Sequence, residues 1–160
     1  MFPLHPETPA AGLSLEELFR STPEKVAAMV ADLRRTAESM GLPFGARTNT
    51  YNSRLAQELG IWADDQGRGQ QFHHAAFRAY FGEGRNLARE EVLVDLARKA
   101  GLSASGARRI LAERTYRHRV DQDWNRAREL AITAVPTFLA GERRLVGAAG
   151  YNALVGLVNP

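Results

Sequence analysis

Chemistry in a 160-residue chain must come from its nucleophiles, its titratable side chains or its backbone, and here the first group is thin because there is no cysteine at all. Thiolate nucleophiles, disulfides and thiolate zinc sites are therefore excluded from these residues. The histidines do not fill the gap. His73 and His74 are sequence neighbours and diverge by about 100° on a helix, whereas a two-histidine metal pair favours i and i+4. His118 sits in a charged stretch with Asp121 and Gln122 and reads as a solvated side chain. Asp64-Asp65 falls at an expected helix end, where paired carboxylates are a solvated terminus rather than an acid/base couple. Gly67-Arg68-Gly69 is too short for a phosphate loop and follows no strand. No residue is assigned a catalytic role and none a metal.

What remains is backbone chemistry at one segment, Val135-Pro136-Thr137-Phe138-Leu139-Ala140-Gly141, continued by Glu142 to Gly147. Proline lacks the N–H that a sheet ladder needs, so Pro136 must open a strand rather than sit inside one. The β-branched and aromatic run after it breaks at Gly141 and resumes as Arg143 to Val146, the pattern of a hairpin on a short glycine connection. An apolar-periodic helix is expected from about Gly150 to Val158. Residues alone leave the Val135–Pro136 bond open between an ordinary trans strand start and a cis turn.

The preceding chain reads as helices. Ser21-Thr22-Pro23 is a cap with proline at the first helical position, and Val26, Met29, Val30, Leu33, Ala37 and Met40 form an apolar stripe that ends at Gly41. Leu42 to Arg47 is an extended link. Thr48 or Asn49 is expected to cap a helix carrying Leu55, Leu59 and Trp62, closed near Gly67 to Gly69. Gln70 to Phe81 places Phe72, Ala76, Phe77 and Tyr80 on one packing face. Arg89 to Lys99 carries Val92, Leu93, Leu96 and Ala97; Ser103 or Ser105 opens a helix with Ile110 and Leu111; Tyr116 to Leu130 carries Val120 and Trp124. Pro6 to Gly12 is an irregular connection.

Composition bounds the function classes. At 44% apolar content the chain can build its own core, and nothing approaches the roughly 20 apolar residues that span a bilayer. The N-terminus has neither a basic nor an apolar signal-peptide region, which gives the expectation of a cytoplasmic protein. The net charge is +3, with 19 of 21 basic residues arginine. Arg108, Arg109, Arg114, Arg117, Arg119, Arg126 and Arg128 are interleaved with Glu113, Asp121, Asp123 and Glu129, the pattern of a salt-bridged solvent face rather than a nucleic-acid surface.

The ordered set of segments resembles the DsbA-like thioredoxin-fold family, in particular its FrnE-like branch. The resemblance rests on Phe2-Pro3-Leu4-His5-Pro6-Glu7-Thr8-Pro9, Ser14 to Phe19, Gly41-Leu42-Pro43-Phe44, Thr48-Asn49-Thr50, Phe77 to Asn86, Ala127 to Ile132 and the Val-Pro-Thr-Phe hairpin. It implies an α/β, mostly helical fold of the thioredoxin type: a single domain over 1–160, with a helical insertion and connecting helix at 13–131 and the closing ββα at 132–160. The first βαβ part, with its CxxC, is implied to precede Met1. The resemblance further implies a cis Val135–Pro136 bond, with Val135 and Pro136 contacting a protein or peptide thiol/disulfide substrate.

The expected function is thus the substrate-binding and helical portion of a thiol–disulfide oxidoreductase, redox-inert as it stands. No cofactor is expected on that reading. Two others are kept: a relative of the 2-hydroxychromene-2-carboxylate isomerases, which use glutathione and would give Asn49 a ligand contact instead of a capping role, and a non-catalytic binding module. A hairpin with an uncovered apolar face from Phe138, Leu145, Leu154, Val155 and Val158 leads to the expectation of a homodimer.

Overall fold

The computed structural model describes residues 1–159. Local signals start most elements where chemistry requires. Strand β1 (Leu13–Ser14) runs directly into helix α1 (Leu15–Phe19), which Ser14 caps: its Oγ accepts from the Glu17 N–H at 3.1 Å while the Glu17 carboxylate accepts from the Ser14 N–H at 2.9 Å. This reciprocal arrangement satisfies two donors that a helix start otherwise leaves open. Helix α2 (Pro23–Ser39) begins at Thr22-Pro23 as its sequence predicts. Strand β2 (Asn49–Thr50) then pairs antiparallel with β1, Leu13 opposite Thr50 and Ser14 opposite Asn49.

Helices α3 (Arg54–Asp65), α4 (Gly69–Phe77), α5 (Glu90–Lys99) and α6 (Ala104–Glu113) follow. Ser103 takes the cap of α6, its Oγ accepting from the Gly106 N–H at 3.2 Å. Helix α7 is Arg117–Glu129, strands β3 (Thr137–Ala140) and β4 (Arg143–Val146) form a second two-stranded sheet, and α8 is Tyr151–Val158.

The chain divides into two compact units: a helical unit, Pro3–Asp121, and a C-terminal unit, Met1–Phe2 with Gln122 onward. The boundary falls within α7. In the helical unit Leu59, Ala63, Phe72, Leu93, Leu96, Ala97 and Ala107 are buried together between α3, α4, α5 and α6. These are the i, i+3, i+4 positions of each helix, so the stripes face one another as amphipathic periodicity demands.

In the C-terminal unit the hairpin register is Thr137 opposite Val146, Phe138 opposite Leu145, Leu139 opposite Arg144 and Ala140 opposite Arg143, turning on Gly141 at φ +61°. Arg144 donates to the carbonyls of Leu130 and Ala131, tying β4 to the end of α7. No residue of β3, β4 or α8 is buried.

Four expectations need correction. The aromatic helix is not continuous to Phe81: α4 ends at Phe77 and passes into a π-helical turn, Arg78–Gly82, closed by the Glu83 N–H to the Arg78 carbonyl at 3.1 Å. The wider turn changes the helical phase. Phe77, before that turn and about 140° round the α-helix from Phe72, is 62% exposed, while Phe72, Ala76 and Ala79 stay buried. Second, the stripe of α2 buries only Val26, and Leu33 and Met40 are exposed. Third, Asn49 does not cap a helix; it lies in β2, and α3 starts five residues later. Fourth, Arg114 leaves the solvated arginine set and pairs with a buried carboxylate described below.

Candidate functional site

The Val135–Pro136 peptide is cis. Val135 is 47% exposed, and neither its N–H nor its carbonyl takes a hydrogen bond among the described residues. Its neighbours are engaged: the Pro136 carbonyl accepts from the Gly147 N–H at 2.8 Å, and Thr137 Oγ1 donates to the Ala134 carbonyl at 2.6 Å. One residue, Val135, is thus held at the head of β3 with its N–H and its carbonyl both open, although the two atoms belong to successive peptide groups, and the residues on either side are bonded. An extended backbone can pair there, as strands do at any free sheet edge.

Asn49 lies in the helical unit. Its carboxamide oxygen accepts from Thr48 Oγ1 at 2.8 Å and its backbone is in the β1–β2 ladder. The capping work falls to Asn52 instead, whose Oδ1 accepts from the Arg54 N–H at 2.9 Å while its Nδ2 donates to the carbonyls of Pro6 and Thr8 at 3.0 and 2.9 Å. Asn52 thereby orders the irregular Pro6 to Gly12 connection.

The strongest electrostatic feature is Glu58, fully buried on α3. Arg114 grips it with both arms of its fork, Nε to Oε2 at 2.8 Å and Nη2 to Oε1 at 2.6 Å, and Arg54 adds Nε to Oε1 at 2.8 Å. Arg54 also reaches Asp121 at 2.6 Å and the Arg117 carbonyl at 2.9 Å. Burial pushes the Glu58 carboxyl up, but the hydrogen bonds from Arg114 and Arg54 outweigh it and leave the group below its ordinary value. Only the i, i+4 pairing of Arg54 with Glu58 has a signature in the sequence; the Arg114 contact, from 56 residues away, has none.

Elsewhere charges pair at the surface. Asp95, gathered by Lys99, Arg85 and Arg98, is lowered to about 2. Asp65 accepts from Arg119, which lowers it. His73 Nε2 is 3.6 Å from Asp64, and no cluster of three metal-ligating side chains occurs among the described residues. All of these groups belong to the helical unit.

The family model for the DSBA-like thioredoxin domain matches residues 1–159. Among curated proteins, the "Uncharacterized protein YwbO" of Bacillus subtilis (strain 168) is 36% identical over 99 residues, which is 61% of this chain and 50% of that protein. The chain spans about half the length of this curated relative. Among solved structures, the "probable DsbA oxidoreductase SCO1869" of Streptomyces coelicolor superposes with a TM-score of 0.87 at 25% identity, over 96% of this chain and 69% of its own. The "putative protein disulfide isomerase" of Nitrosomonas europaea, at 18% identity and a TM-score of 0.67 over 86% and 74%, shares the fold. Among the described residues no helix is long and apolar enough to cross a membrane.

Proposed function

The chain belongs to the DsbA-like thioredoxin domain family, and from that premise we propose that it is the helical and substrate-facing portion of a thiol–disulfide oxidoreductase of the FrnE-like branch, acting in the cytoplasm. Val135 and Pro136 are its contact with an extended protein or peptide substrate. The observation that carries this reading is the open N–H and carbonyl of Val135 at the head of β3, a residue half-exposed and bracketed by hydrogen-bonded neighbours.

The chemistry of exchange constrains the role further. A thiolate attacks one sulfur of a disulfide, a mixed disulfide forms and the other sulfur leaves as thiolate; every step needs sulfur on the catalyst. These 160 residues contain no cysteine, and a methionine thioether cannot form a thiolate or a disulfide. Their part is to present the substrate chain, through main-chain pairing that is indifferent to its sequence.

The test is a titration of the isotope-labelled chain with a short unfolded peptide and with the same peptide N-methylated at alternate amides, read by amide chemical shifts. We expect shifts centred on Ala134 to Thr137 and Gly147, lost with the N-methylated peptide. Shifts confined to the helical unit, or equal effects from both peptides, would overturn the reading. In parallel, reduction of insulin by dithiothreitol should run no faster with the chain than in buffer.

A further inference from the structure

Five arginines of the helical unit are half-buried: Arg34, Arg47, Arg54, Arg85 and Arg114. Guanidinium groups withdrawn from water are ordinarily paired with a carboxylate. Three of the five obey this rule: Arg54 and Arg114 on Glu58, and Arg85 on Asp95. Arg34 and Arg47 do not. Arg34 spends one N–H on the Gly45 carbonyl at 3.2 Å, and Arg47 one on the Tyr80 hydroxyl at 2.9 Å. Each Nε is buried without a partner.

These two exceptions share one cavity, of about 280 Å³, between α2 and the Ala46–Thr48 segment that leads into β2. Its floor is the row Pro23, Val26, Ala27, Val30, Ala31 and Arg34. Those positions advance by three and four, so they form a single face of α2. This is why the apolar stripe of α2 packs so little: part of it lines a cavity instead of a core. The opposite wall is held in place. The Thr48 carbonyl accepts from the Leu15 N–H at 2.9 Å, and Arg47 lies over the rings of Tyr80 and Phe81, 5.1 and 5.5 Å from their centroids.

We propose that this cavity binds a small organic monocarboxylate, its carboxylate between Arg34 and Arg47 and its apolar tail along Val26, Ala27, Val30 and Ala31. The planar fork of a guanidinium matches a carboxylate, and each arginine keeps donors in hand after its one hydrogen bond. Glu16 also lines the cavity, so the lining carries two positive charges and one negative. A single negative charge balances it; a phosphate dianion exceeds it and meets Glu16. The volume of about 280 Å³ lies just below the usual range of ligand pockets, about 300 Å³ upward, and so admits only a small ligand. The site lies wholly in the helical unit and does not involve Val135 or Pro136, so it stands or falls separately from the peptide-binding reading.

Hexanoate is the probe, with hexanol and inorganic phosphate as the two controls, measured by calorimetry at low ionic strength. Saturable binding of hexanoate alone is expected, weakened at least about tenfold by Arg34→Met or by Arg47→Met, the scale of one lost charge-assisted hydrogen bond. Arg35→Met, on the solvent side of α2, should leave it unchanged. Amide shifts on the unaltered chain should gather at Val26 to Arg34 and Ala46 to Thr48, and this map decides alone if a methionine variant loses its helical circular dichroism. Hexanol binding as well as hexanoate, phosphate binding better, shifts elsewhere, or no binding would each overturn the proposal.

Discussion

The helical unit and the C-terminal unit are made from similar residues and end in opposite states. Phe72, Leu59, Leu93 and Leu96 are sealed from water in the first, while Phe138 and Leu145 of the hairpin are only half-buried and Leu139, Val146, Tyr151 and Val158 are exposed. The difference lies in partners. Four helices bury their stripes against one another, whereas a two-stranded sheet and one short helix offer too few faces to cover each other. Apolar sequence is a demand for burial, and whether the demand is met depends on how many faces are at hand.

Hydrogen exchange resolved by peptide is the sharpest way to break this comparison. Amides of α3, α5 and α6 should be protected to near the global unfolding free energy, and those of β3, β4 and α8 should exchange orders of magnitude faster in dilute solution. We further propose that a second copy pairs on the open hairpin edge, so that light scattering shows dimers at high concentration and hairpin protection rises with them. A rigid monomer with protected hairpin amides at every dilution would refute both.

Truncation of core rings comes next in size. Phe72→Ala should cost about 3–5 kcal/mol in chemical denaturation. Phe138→Ala, half-exposed at the start, should cost under about 1.5 kcal/mol because less apolar area is lost. Equal costs would mean that the hairpin is covered in solution.

Removing the buried carboxylate of the helical unit, by Glu58→Gln, should cost about 3 kcal/mol, since half-buried Arg114 then loses its paired carboxylate, while Arg54 keeps Asp121. The pH dependence has a definite sign. The folded-state value of Glu58 lies below 4.5, so its contribution is complete above that pH and is lost as pH falls through the folded value. Asp95 behaves likewise from 3.8 down to about 2. Acid unfolding of Glu58→Gln should therefore be shallower near pH 4 than that of the unaltered chain.

A smaller effect is expected at Gly45, whose missing Cβ would stand 2.3 Å from the Gly82 carbonyl oxygen. Its N–H donates to the Phe81 carbonyl at 2.8 Å, so the link and the π-helical turn touch backbone to backbone. Gly45→Ala should lower stability by about 1–3 kcal/mol, the range for a forced backbone shift, and also blunt hexanoate binding by moving Arg47. An unchanged melting temperature would show that the link yields freely.

Elements with strong local chemistry were legible from the residues alone: the Thr22-Pro23 start of α2, the α5 and α6 stripes with their closing glycine and opening Ser103, and a hairpin bounded by Pro136 and turned on Gly141. Each depends on neighbours within a few positions. Where the sequence offered equal local options, distant contacts chose. Thr48, Asn49, Asn52 and Ser53 can all cap a helix; Asn49 is paired into a strand with Leu13–Ser14, Ser53 is the cap residue, and it is Asn52 that accepts from the first helical N–H, of Arg54. The apolar run from Phe72 to Tyr80 suggested one continuous face, but Phe77 lies about 140° round the α-helix from Phe72 and faces solvent, and the helix gives way to a π-helical turn where Phe81 and Gly82 meet the Pro43–Gly45 link.

By itself the amino-acid order determined the helical content, the hairpin and the lack of any cysteine nucleophile, because these follow from backbone propensity, period and side-chain identity. Tertiary structure alone decided that Glu58 is buried between Arg54 and Arg114, that Arg34 and Arg47 share a cavity without a carboxylate, and that the N–H and carbonyl of Val135 are left open. Charge pairing and burial act through space, between residues 56 and 67 positions apart around Glu58 and Arg54, and no local pattern carries that information.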